Sequence, residues 1–449
     1  MNINRFFSNS KNLMKLAYPI LIAQLIQNLM GFADTVMAGR VSATDMAAVA
    51  VASSVWLPLI LTISGLVMAL ASIISQLSGA KQFDDVAKAS YQTAWIAVFF
   101  SIVIIIAYYI ATPLLINSIA LEPELKHLMF DYLGYIVWGG PGYCLYLVLR
   151  NYSEGLSFTR PTMIISILGL LINIPANYIF IYGEFGMPAL GGAGCGIATA
   201  IVYWVMFAGM LAYTYFSKHL KQAPLFKKFY WPDWAAMKII LALGMPIAFS
   251  LLFEVSLFAA VAIILAPFGA NVVASHQIAI NFSGLVFMVP LSLAMAVTIK
   301  VGFEVGNKKL ENAKELCRYS VILGLIIAVA IAAIYTTDTE VLELAASLMF
   351  LAALFQFSDA IQVISAGALR GYKDTKSILY ITFFSYWVVG LSLGLILGLT
   401  DWIVPATGPY GFWVGFISGL TVAAVLLAWR LKVVQQRLDQ QIAVEASVS

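Results

Sequence analysis

The chain has 449 residues, of which 62% are hydrophobic and only 10% are charged, and its mean hydropathy is +0.92. A soluble protein carries about 25% charged residues, so this composition excludes an ordinary soluble domain and makes the lipid bilayer the expected solvent. The formal net charge of +3 is small for this length, and we expect no nucleic-acid partner.

Apolar runs of about 20 residues, the length that crosses a bilayer as a helix, recur along the whole chain. They are too long and too uniformly apolar for the alternating strands of a membrane β-barrel. The sequence therefore predicts an all-α integral membrane protein with twelve transmembrane helices. The windows lie near residues 15–38, 46–77, 91–116, 129–149, 161–182, 193–216, 238–266, 273–299, 318–336, 341–369, 377–399 and 409–430.

The basic residues predict the orientation of these helices, because cytoplasmic loops of membrane proteins carry an excess of Lys and Arg. With the N-terminus placed in the cytoplasm, all but two of the 25 basic residues fall in cytoplasmic segments. The exceptions are Arg40 and Lys126. We therefore expect a multi-pass protein of the bacterial inner membrane with both termini in the cytoplasm.

The two halves of the chain repeat each other weakly at an offset of 227 residues. YPILIAQL at 18–25 aligns with MPIAFSLL at 245–252, and GAKQFDDVAK at 79–88 aligns with GNKKLENAKE at 306–315. LRNY at 149–152 is echoed by LRGY at 369–372, at the slightly shorter offset of 220 residues. Each half holds six predicted helices, an even number, so both halves insert in the same direction and a substrate site is expected at their interface.

The longest polar connection follows the sixth window and separates the two repeats. The predicted domains are residues 1–217, an N-terminal lobe of six helices; residues 218–235, a cytoplasmic linker; and residues 236–449, a C-terminal lobe of six helices. The predicted architecture is thus two six-helix bundles related by pseudo-symmetry.

Three carboxylates are expected well inside these helices: Asp34, Glu254 and Asp359. A charge at the centre of the bilayer costs about 2.5–3.5 kcal/mol on insertion scales, so such groups face the bundle interior or a wet cavity. No Lys or Arg is expected at comparable depth. A cavity lined by these carboxylates would attract cations.

Polar residues accompany the carboxylates at helical spacing. In the fifth window, Asn173 and Asn177 share a face, and Pro175 between them frees the carbonyl of Leu171. Amides and a free carbonyl suit a carboxylate that gains and loses a proton. The expected supporting network is Gln27 near Asp34, the group Asn173, Pro175 and Asn177, and Gln356 and Gln362 around Asp359.

The same residues also have structural interpretations. A buried aspartate can fix helix packing through hydrogen bonds alone, and interhelical amides commonly hold membrane helices together. Pro175 can serve only to kink its helix. These alternatives stay open at the level of the sequence.

Several classes of function lack their motifs in this sequence. There is no G-x-x-x-x-G-K-[ST] nucleotide loop, no H-E-x-x-H zinc motif and no TVGYG filter. Cys144, Cys195 and Cys317 have no metal-site spacing. We therefore expect no enzyme and no cofactor, and we expect a secondary carrier in place of a nucleotide-driven pump or a selective channel.

Six segments resemble motifs of a known family, the multidrug and toxic compound extrusion (MATE) family in its bacterial NorM-type branch. The resemblance runs from about Ala17 to Trp429, nearly the whole chain. The segments are GFADTVMAGRVSATDMAAVAVASS (31–54), NIPANYIFIYG (173–183), GGAGCGIATAIVYW (191–204), FEVSLF (253–258), ASHQIAINFSGLVFMVPLSLA (274–294) and SDAIQVISAGALRGYKDT (358–375).

The resemblance implies the V-shaped MATE fold and cation-coupled efflux of organic cations such as drugs and dyes. Carried over by position, it assigns coupling and substrate contacts to Asp34, Glu254 and Asp359. It also makes Glu254 and Asp359 candidate ligands of a sodium ion. This chain departs from the family at one position. Members of the branch can carry a tyrosine one turn before the aspartate that matches Asp359, and this chain has Phe355 there.

The leading hypothesis is a monomeric antiporter that exports cationic amphiphiles while sodium ions or protons enter. A lipid-linked oligosaccharide flippase is the second reading, and it would require Lys or Arg in the cavity. A membrane enzyme is the third hypothesis, and a channel is the fourth. The sequence leaves the choice between sodium and protons open, with sodium favoured.

Overall fold

The computed structural model of the chain describes residues 3–115, 122–335 and 343–448, and every regular element within those ranges is helical. The helices are α1 (Ile3–Gly39), α2 (Ala43–Gly79), α3 (Phe83–Leu115), α4 (Pro123–Ile136), α5 (Gly140–Gly155), α6 (Arg160–Tyr182), α7 (Gly194–Phe216), α8 (Trp234–Leu265), α9 (Ala270–Gly306), α10 (Leu310–Tyr335), α11 (Glu343–Gly371), α12 (Thr375–Phe383), α13 (Ser392–Leu399) and α14 (Pro409–Val448).

The predicted windows coincide with these helices, so the prediction of an all-α membrane protein is confirmed. Ten helical stretches in the described residues are long and apolar enough to cross a membrane. The fourth window is divided between α4 and α5 by the 3₁₀ turn Val137–Gly139, which leaves two short helices. The ninth corresponds to α10. The window ends at 116 and 336, and the start of the window at 341, lie outside the described residues.

The chain divides into two compact units. Unit 1 contains Met1–Leu21, Ser75–Lys81 and Leu243–Ser449, and unit 2 contains Ile22–Ile74 and Gln82–Ala242. Unit 2 therefore includes the segment that was predicted as a linker, and Asp34 lies in unit 2 while Glu254 and Asp359 lie in unit 1.

The predicted linker is fastened to the helices of unit 2. Gln92 on α3 donates a hydrogen bond to the Trp231 carbonyl at 2.8 Å and accepts one from the Asp233 amide at 2.8 Å. Lys88 forms an ion pair with Asp233 at 2.8 Å, and the Tyr152 hydroxyl on α5 donates to the Ala223 carbonyl. The segment is polar because it lies outside the apolar spans, yet these contacts give it a fixed path.

Small residues let α14 closely approach α13 and the π-helical segment that precedes it in unit 1. An added Cβ at Gly415 would meet the backbone of Gly390 and Gly394, and one at Gly419 would meet the backbone of Gly390 and the Ser385 carbonyl. Glycine stripes of this kind replace hydrophobic burial as the basis of helix packing in lipid. Between α12 and α13 the chain forms a π-helical segment, Phe384–Leu391.

Candidate functional site

Asp34 lies buried on α1, and its carboxylate accepts three hydrogen bonds within unit 2. Asn173 and Asn177 on α6 donate from their side-chain amides to Oδ1 at 3.0 and 2.6 Å. The hydroxyl of Thr199 on α7 donates to Oδ2 at 3.0 Å. None of the ion pairs in the described residues involves Asp34. The charge is thus held by neutral donors.

Helix α6 presents its two asparagines as a pair. They lie four residues apart on one buried face, and Asn177 also donates its amide to the Oδ1 atom of Asn173 at 3.2 Å. The helix has Pro161 in its first turn and ends at Gly183, whose left-handed φ of 78° lets its amide reach the Ile179 carbonyl. The i,i+4 spacing seen in the sequence therefore brings both amides to Asp34.

Pro175 does not belong to this cluster. It lies on the exposed face of α6, as does Leu171, whose side chain is 63% exposed. The carbonyl that Pro175 frees is therefore on the side away from Asn173 and Asn177. The exposed position of Pro175 therefore argues against a contact between the freed carbonyl and the carboxylate.

Thr199 is a member of the cluster that the sequence analysis did not single out. An added Cβ at Gly194 would meet the Phe180 carbonyl of α6, and one at Gly196 would meet the Tyr132 carbonyl of α4. These glycines bring α7 close to both helices. Cys195 donates its thiol to the Asp34 carbonyl at 3.5 Å. The glycine-rich run GGAGCGIATA was the available signal for this close approach.

The cluster combines one carboxylate with several neutral oxygens. The side-chain oxygen of Asn177 is buried and has no hydrogen-bond partner among the described residues. The Oδ1 atom of Asn173 lies 3.2 Å from the Asn177 amide nitrogen, and the Thr199 hydroxyl oxygen lies 3.0 Å from Asp34 Oδ2. Carboxylate, amide and hydroxyl oxygens are the ligands that hard cations prefer. This cluster can hold a small cation or exchange a proton. When neither is bound, the three donors stabilise the negative charge of Asp34.

Gln27 lies elsewhere on α1. It is half-buried, it is not among the side-chain donors to Asp34, and it lies beside Tyr146 on α5. Its Nε2 atom has no partner in the described part of the chain. The shared face predicted from the sequence therefore does not become a hydrogen bond between Gln27 and Asp34.

Glu254 on α8 borders two small cavities within unit 1. One, with a volume of ≈ 10 Å³, is lined by Glu254, Phe355 and Tyr386 together with apolar residues. The other, with a volume of ≈ 30 Å³, is lined by Glu254, Ser250, Gln362 and other residues of α8, α9, α11 and α12. A water molecule needs about 10–15 Å³ of such space, so both cavities are close to the size of single waters or bare ions.

Asp359 on α11 is buried and unsatisfied. Only 1% of its surface is exposed, and neither carboxylate oxygen has a hydrogen-bond partner among the described residues. Its charge interacts with that of Glu254. Gln356 and Gln362 are buried on the same helix, and each has one unpartnered amide atom in this part of the structure. Phe355 and Gln362, which lie on either side of Asp359 on α11, each line a cavity with Glu254, so the two acids lie in the same region of unit 1.

The departure at Phe355 is partly offset by another residue. Phe355 packs against Phe258 and Trp413 with ring centroids 6.5 and 6.2 Å apart. Tyr386, in the π-helical segment, lines the same cavity as Glu254, and its hydroxyl is buried without a partner in the described residues. π-Helical turns often mark functional positions. A hydroxyl is therefore available beside Glu254 from the predicted window 377–399, in which the sequence analysis singled out no site residue.

The expectation that no basic residue reaches the depth of the carboxylates is wrong for Glu254. Arg370, in the last turn of α11, is 5% exposed and lines the ≈ 30 Å³ cavity with Glu254. The sequence analysis counted Arg370 among the basic residues of the cytoplasmic segments. In the structure the side chain turns inward.

No cluster in the described residues has the three or more His, Cys, Asp or Glu side chains that hold a typical metal ion. Glu254 and Asp359 are two carboxylates without further charged ligands. Any cation they share would complete its shell with neutral oxygens.

Comparison with protein-family models gives one match, described as MatE, over residues 19–179 and 246–396. The two matched segments start at equivalent points of the repeat. They begin within YPILIAQL and MPIAFSLL, the two segments that align in the repeat. The internal repeat inferred from the sequence is therefore supported by an independent comparison.

Curated relatives are similar along nearly the whole chain. The probable multidrug resistance protein NorM of Shewanella oneidensis is 50% identical over 438 residues, which is 95% of each chain. The multidrug resistance protein MdtK of Photorhabdus laumondii is 49% identical over 451 residues, covering 98% of this chain and 99% of its own.

Solved structures share the fold at low sequence identity. A crystal structure of MATE in complex with MaL6 has a TM-score of 0.85 at 21% identity, covering 96% of this chain and 97% of its own. The eukaryotic MATE transporter AtDTX14 has a TM-score of 0.83 at 18% identity, covering 97% of this chain and 99% of its own. At these identities the likeness shows the fold alone, and it agrees with the predicted fold class.

Proposed function

Since the chain belongs to the MatE family, whose members are transporters and not enzymes, we propose that it is a cation-coupled antiporter. It exports cationic amphiphilic drugs and other toxic organic compounds across the bacterial inner membrane by alternating access. The observation that carries this proposal is the set of buried carboxylates. Asp34 accepts hydrogen bonds only from neutral donors, and Asp359 has no hydrogen-bond donor among the described residues.

The substrate class rests on two supports. The relatives that are about half identical to this chain are named multidrug resistance proteins. Buried carboxylates attract organic cations, and aromatic side chains such as Phe258 and Phe355 border the cavity at Glu254. The arginine in the second cavity, Arg370, shares that cavity with Glu254. The acid offsets its charge, so the cavity favours an anionic flippase substrate less than a purely basic cavity would.

The coupling follows from competition for negative charge. When Glu254 and Asp359 are ionised, a coupling ion and a cationic drug are alternative partners. Entry of the ion reduces the attraction for the drug and promotes its release. By linkage, the drug reduces the affinity for the ion by the same factor, which couples the two fluxes.

We propose sodium as the coupling ion at Glu254 and Asp359, with protons as the alternative at Asp34. Two carboxylates from one unit, with the Tyr386 hydroxyl nearby, offer the oxygens that a hard cation needs. Asp34 has a fixed set of neutral donors and stands alone as a charge. One half would then bind the sodium ion, and the other half would exchange the proton.

The experiment uses everted vesicles that contain the full-length protein and measures ethidium transport at fixed pH. Sodium is replaced by potassium in one arm, and the pH gradient is collapsed in the other. Transport that follows sodium and is lost in both Glu254→Gln and Asp359→Asn supports sodium coupling. Transport that persists in potassium and disappears with the pH gradient rejects sodium and makes Asp34 the leading coupling residue.

We further propose that the protein acts as a monomer with both termini in the cytoplasm and with a lobe boundary in residues 218–235. The three native cysteines in the described residues are buried, so cysteines introduced at Lys227 and at Arg40 can report the topology. A membrane-impermeant maleimide should label Lys227→Cys from the cytoplasmic side and Arg40→Cys from the opposite side. The reverse pattern would overturn the orientation.

A further inference from the structure

The repeat places an arginine at an equivalent point of each half. Arg150 stands in LRNY on α5, and Arg370 stands in LRGY on α11. Both side chains are buried, with 6% and 5% of their surfaces exposed. A buried guanidinium needs a partner, because an uncompensated charge in a low-dielectric interior is costly.

Arg150 has its partner within its own helix. Its Nε atom donates to Glu154 Oε1 at 2.8 Å, four residues further along α5. Glu154 is fully buried, so the two charges are compensated inside unit 2. The burial of the Arg150 charge is therefore accounted for by a partner on its own helix.

Arg370 lacks this arrangement although a carboxylate stands at the same spacing. The helix ends at Gly371, and Asp374 lies beyond it. Asp374 accepts hydrogen bonds from Arg430 at 2.6 Å and from the Ser377 hydroxyl at 2.8 Å. The Nε and Nη2 atoms of Arg370 have no hydrogen-bond partner among the described residues.

The charge that Arg370 meets is Glu254. Both side chains line the ≈ 30 Å³ cavity in unit 1, and their charges interact. The remaining polar residues of that cavity, Ser250, Gln362 and Thr382, carry no charge. The arginine that is neutralised locally in one half is thus turned toward an acid of the proposed cation site in the other half.

We propose that Arg370 is a positioning residue of the cation site, with its guanidinium serving as the internal counter-ion of Glu254. The guanidinium and the transported cation are alternative partners of that carboxylate. In the empty site Arg370 compensates Glu254, and an arriving cation displaces this interaction. The presence of Arg370 keeps cation binding weak enough for release. This inference rests on the proposed antiport function.

The test measures ethidium binding to the purified full-length protein by fluorescence anisotropy in potassium buffer at pH 8.5, where competition from protons is small. Arg370→Gln removes the competing charge, so ethidium should bind about tenfold more tightly, within the usual range of coupling between sites. Ethidium efflux by the same variant should fall, because release becomes slow. Arg370→Lys should restore both values toward those of the original chain.

Two further variants separate this role from a structural one. In the Glu254→Gln background, Arg370→Gln should leave ethidium affinity unchanged, since the carboxylate it competes for is gone. A matched control with Arg150→Gln and Glu154→Gln removes the other buried arginine together with its partner, and it should not change ethidium affinity. An equal effect of Arg370→Gln with and without Glu254, or no effect at all, would overturn the proposal.

A thermal-unfolding cycle keeps the proposal testable if the original chain fails to bind ethidium, a result that would reject the proposed function alone. Arg370→Gln and Glu254→Gln should each lower the unfolding midpoint, because each leaves its partner as an uncompensated charge. The double variant should recover part of the loss. Strictly additive losses would show that the two charges do not interact and would overturn the counter-ion role.

Discussion

The acidic cluster of unit 2 and that of unit 1 differ in how their oxygens are satisfied. Asp34 accepts hydrogen bonds from two asparagines and a threonine. Asp359 has no hydrogen-bond partner within the described residues, and Glu254 lies between two narrow cavities. Asp34 is held by neutral donors, whereas Glu254 shares a cavity with Arg370 and Asp359 has no donor among the described residues.

This difference assigns separate physical roles to the two clusters. A fully hydrogen-bonded carboxylate is part of a fixed network, so changing it disturbs the packing of three helices as well as the charge. An unsatisfied buried carboxylate contributes little to folding and is retained at a cost of about 2.5–3.5 kcal/mol on insertion scales. We therefore expect substitutions that remove the acceptor oxygens of Asp34 to affect stability and transport together, and substitutions of Asp359 to affect transport alone.

The largest expected effect is the loss of export in Asp359→Asn. The substitution removes a negative charge that a cation needs and leaves no donor without its acceptor. Ethidium efflux should fall to the background of cells without the protein, while expression and the thermal unfolding midpoint stay the same or rise. Unchanged efflux in a variant present at normal levels would remove Asp359 from the mechanism.

A matched pair of leucine substitutions should separate the clusters by stability. Asp34→Leu leaves three donors unpaired, so it should lower the free energy of unfolding by about 3 kcal/mol or more, at about 1–3 kcal/mol for each unsatisfied buried group. Asp359→Leu orphans no hydrogen-bond donor and should be close to neutral. Equal losses in the thermal midpoint of the two purified variants would contradict the comparison.

The milder variant Asp34→Asn keeps an oxygen for the two asparagines and an amide for Thr199. It should fold normally yet impair ethidium export, because the amide cannot exchange a proton or attract a cation. Efflux assays at matched protein levels would check this, and full export by Asp34→Asn would reduce the cluster to a packing role.

A smaller effect is expected at Thr199, the donor that the sequence analysis missed. Thr199→Val preserves the shape of the side chain and removes one hydrogen bond to a charged group, which should cost about 1.5 kcal/mol of stability. Thr199→Ser should restore the loss, because its hydroxyl can reach the same oxygen. Chemical denaturation in detergent gives the comparison, and a valine variant as stable as the serine variant would speak against the contact.

The smallest expected effect belongs to Tyr386→Phe, which removes one neutral oxygen from the cavity at Glu254. The sodium concentration that gives half-maximal ethidium efflux should rise a few-fold, by about the 0.5–1.5 kcal/mol of a single hydrogen-bonding group. Dependence on pH at constant sodium should not change. A sodium requirement identical to that of the original chain would exclude Tyr386 from the ion site.

The features that sequence alone could predict are those carried by one helix at a time. Apolar windows predicted the helices, and i,i+4 spacing placed Asn173 and Asn177 on one face of α6. Asp34, Glu254 and Asp359 could be singled out because each carboxylate stands within an apolar run. Local periodicity is sufficient for these properties, since side chains one turn apart share a face in any helix.

The features that sequence missed depend on how helices pack together. Thr199 reaches Asp34 because glycines bring α7 close to α4 and α6, and that register is not encoded by spacing within α7. Arg370 turns inward because Asp374 already pairs with Arg430 on α14. Pro175 was expected in the network because it frees the carbonyl of Leu171, but Pro175 and Leu171 both lie on the exposed face of α6.

The most direct test of the account is uphill transport into proteoliposomes by the purified full-length protein. A sodium gradient is imposed, the pH is equal on both sides, and the ethidium concentrations are equal at the start. Antiport predicts that ethidium then accumulates against its own gradient. It also predicts that Asp359→Asn abolishes this accumulation. Ethidium that only equilibrates across the membrane, or that accumulates equally in the Asp359→Asn variant, would contradict the claim that this chain exchanges a cation for a drug at its buried carboxylates.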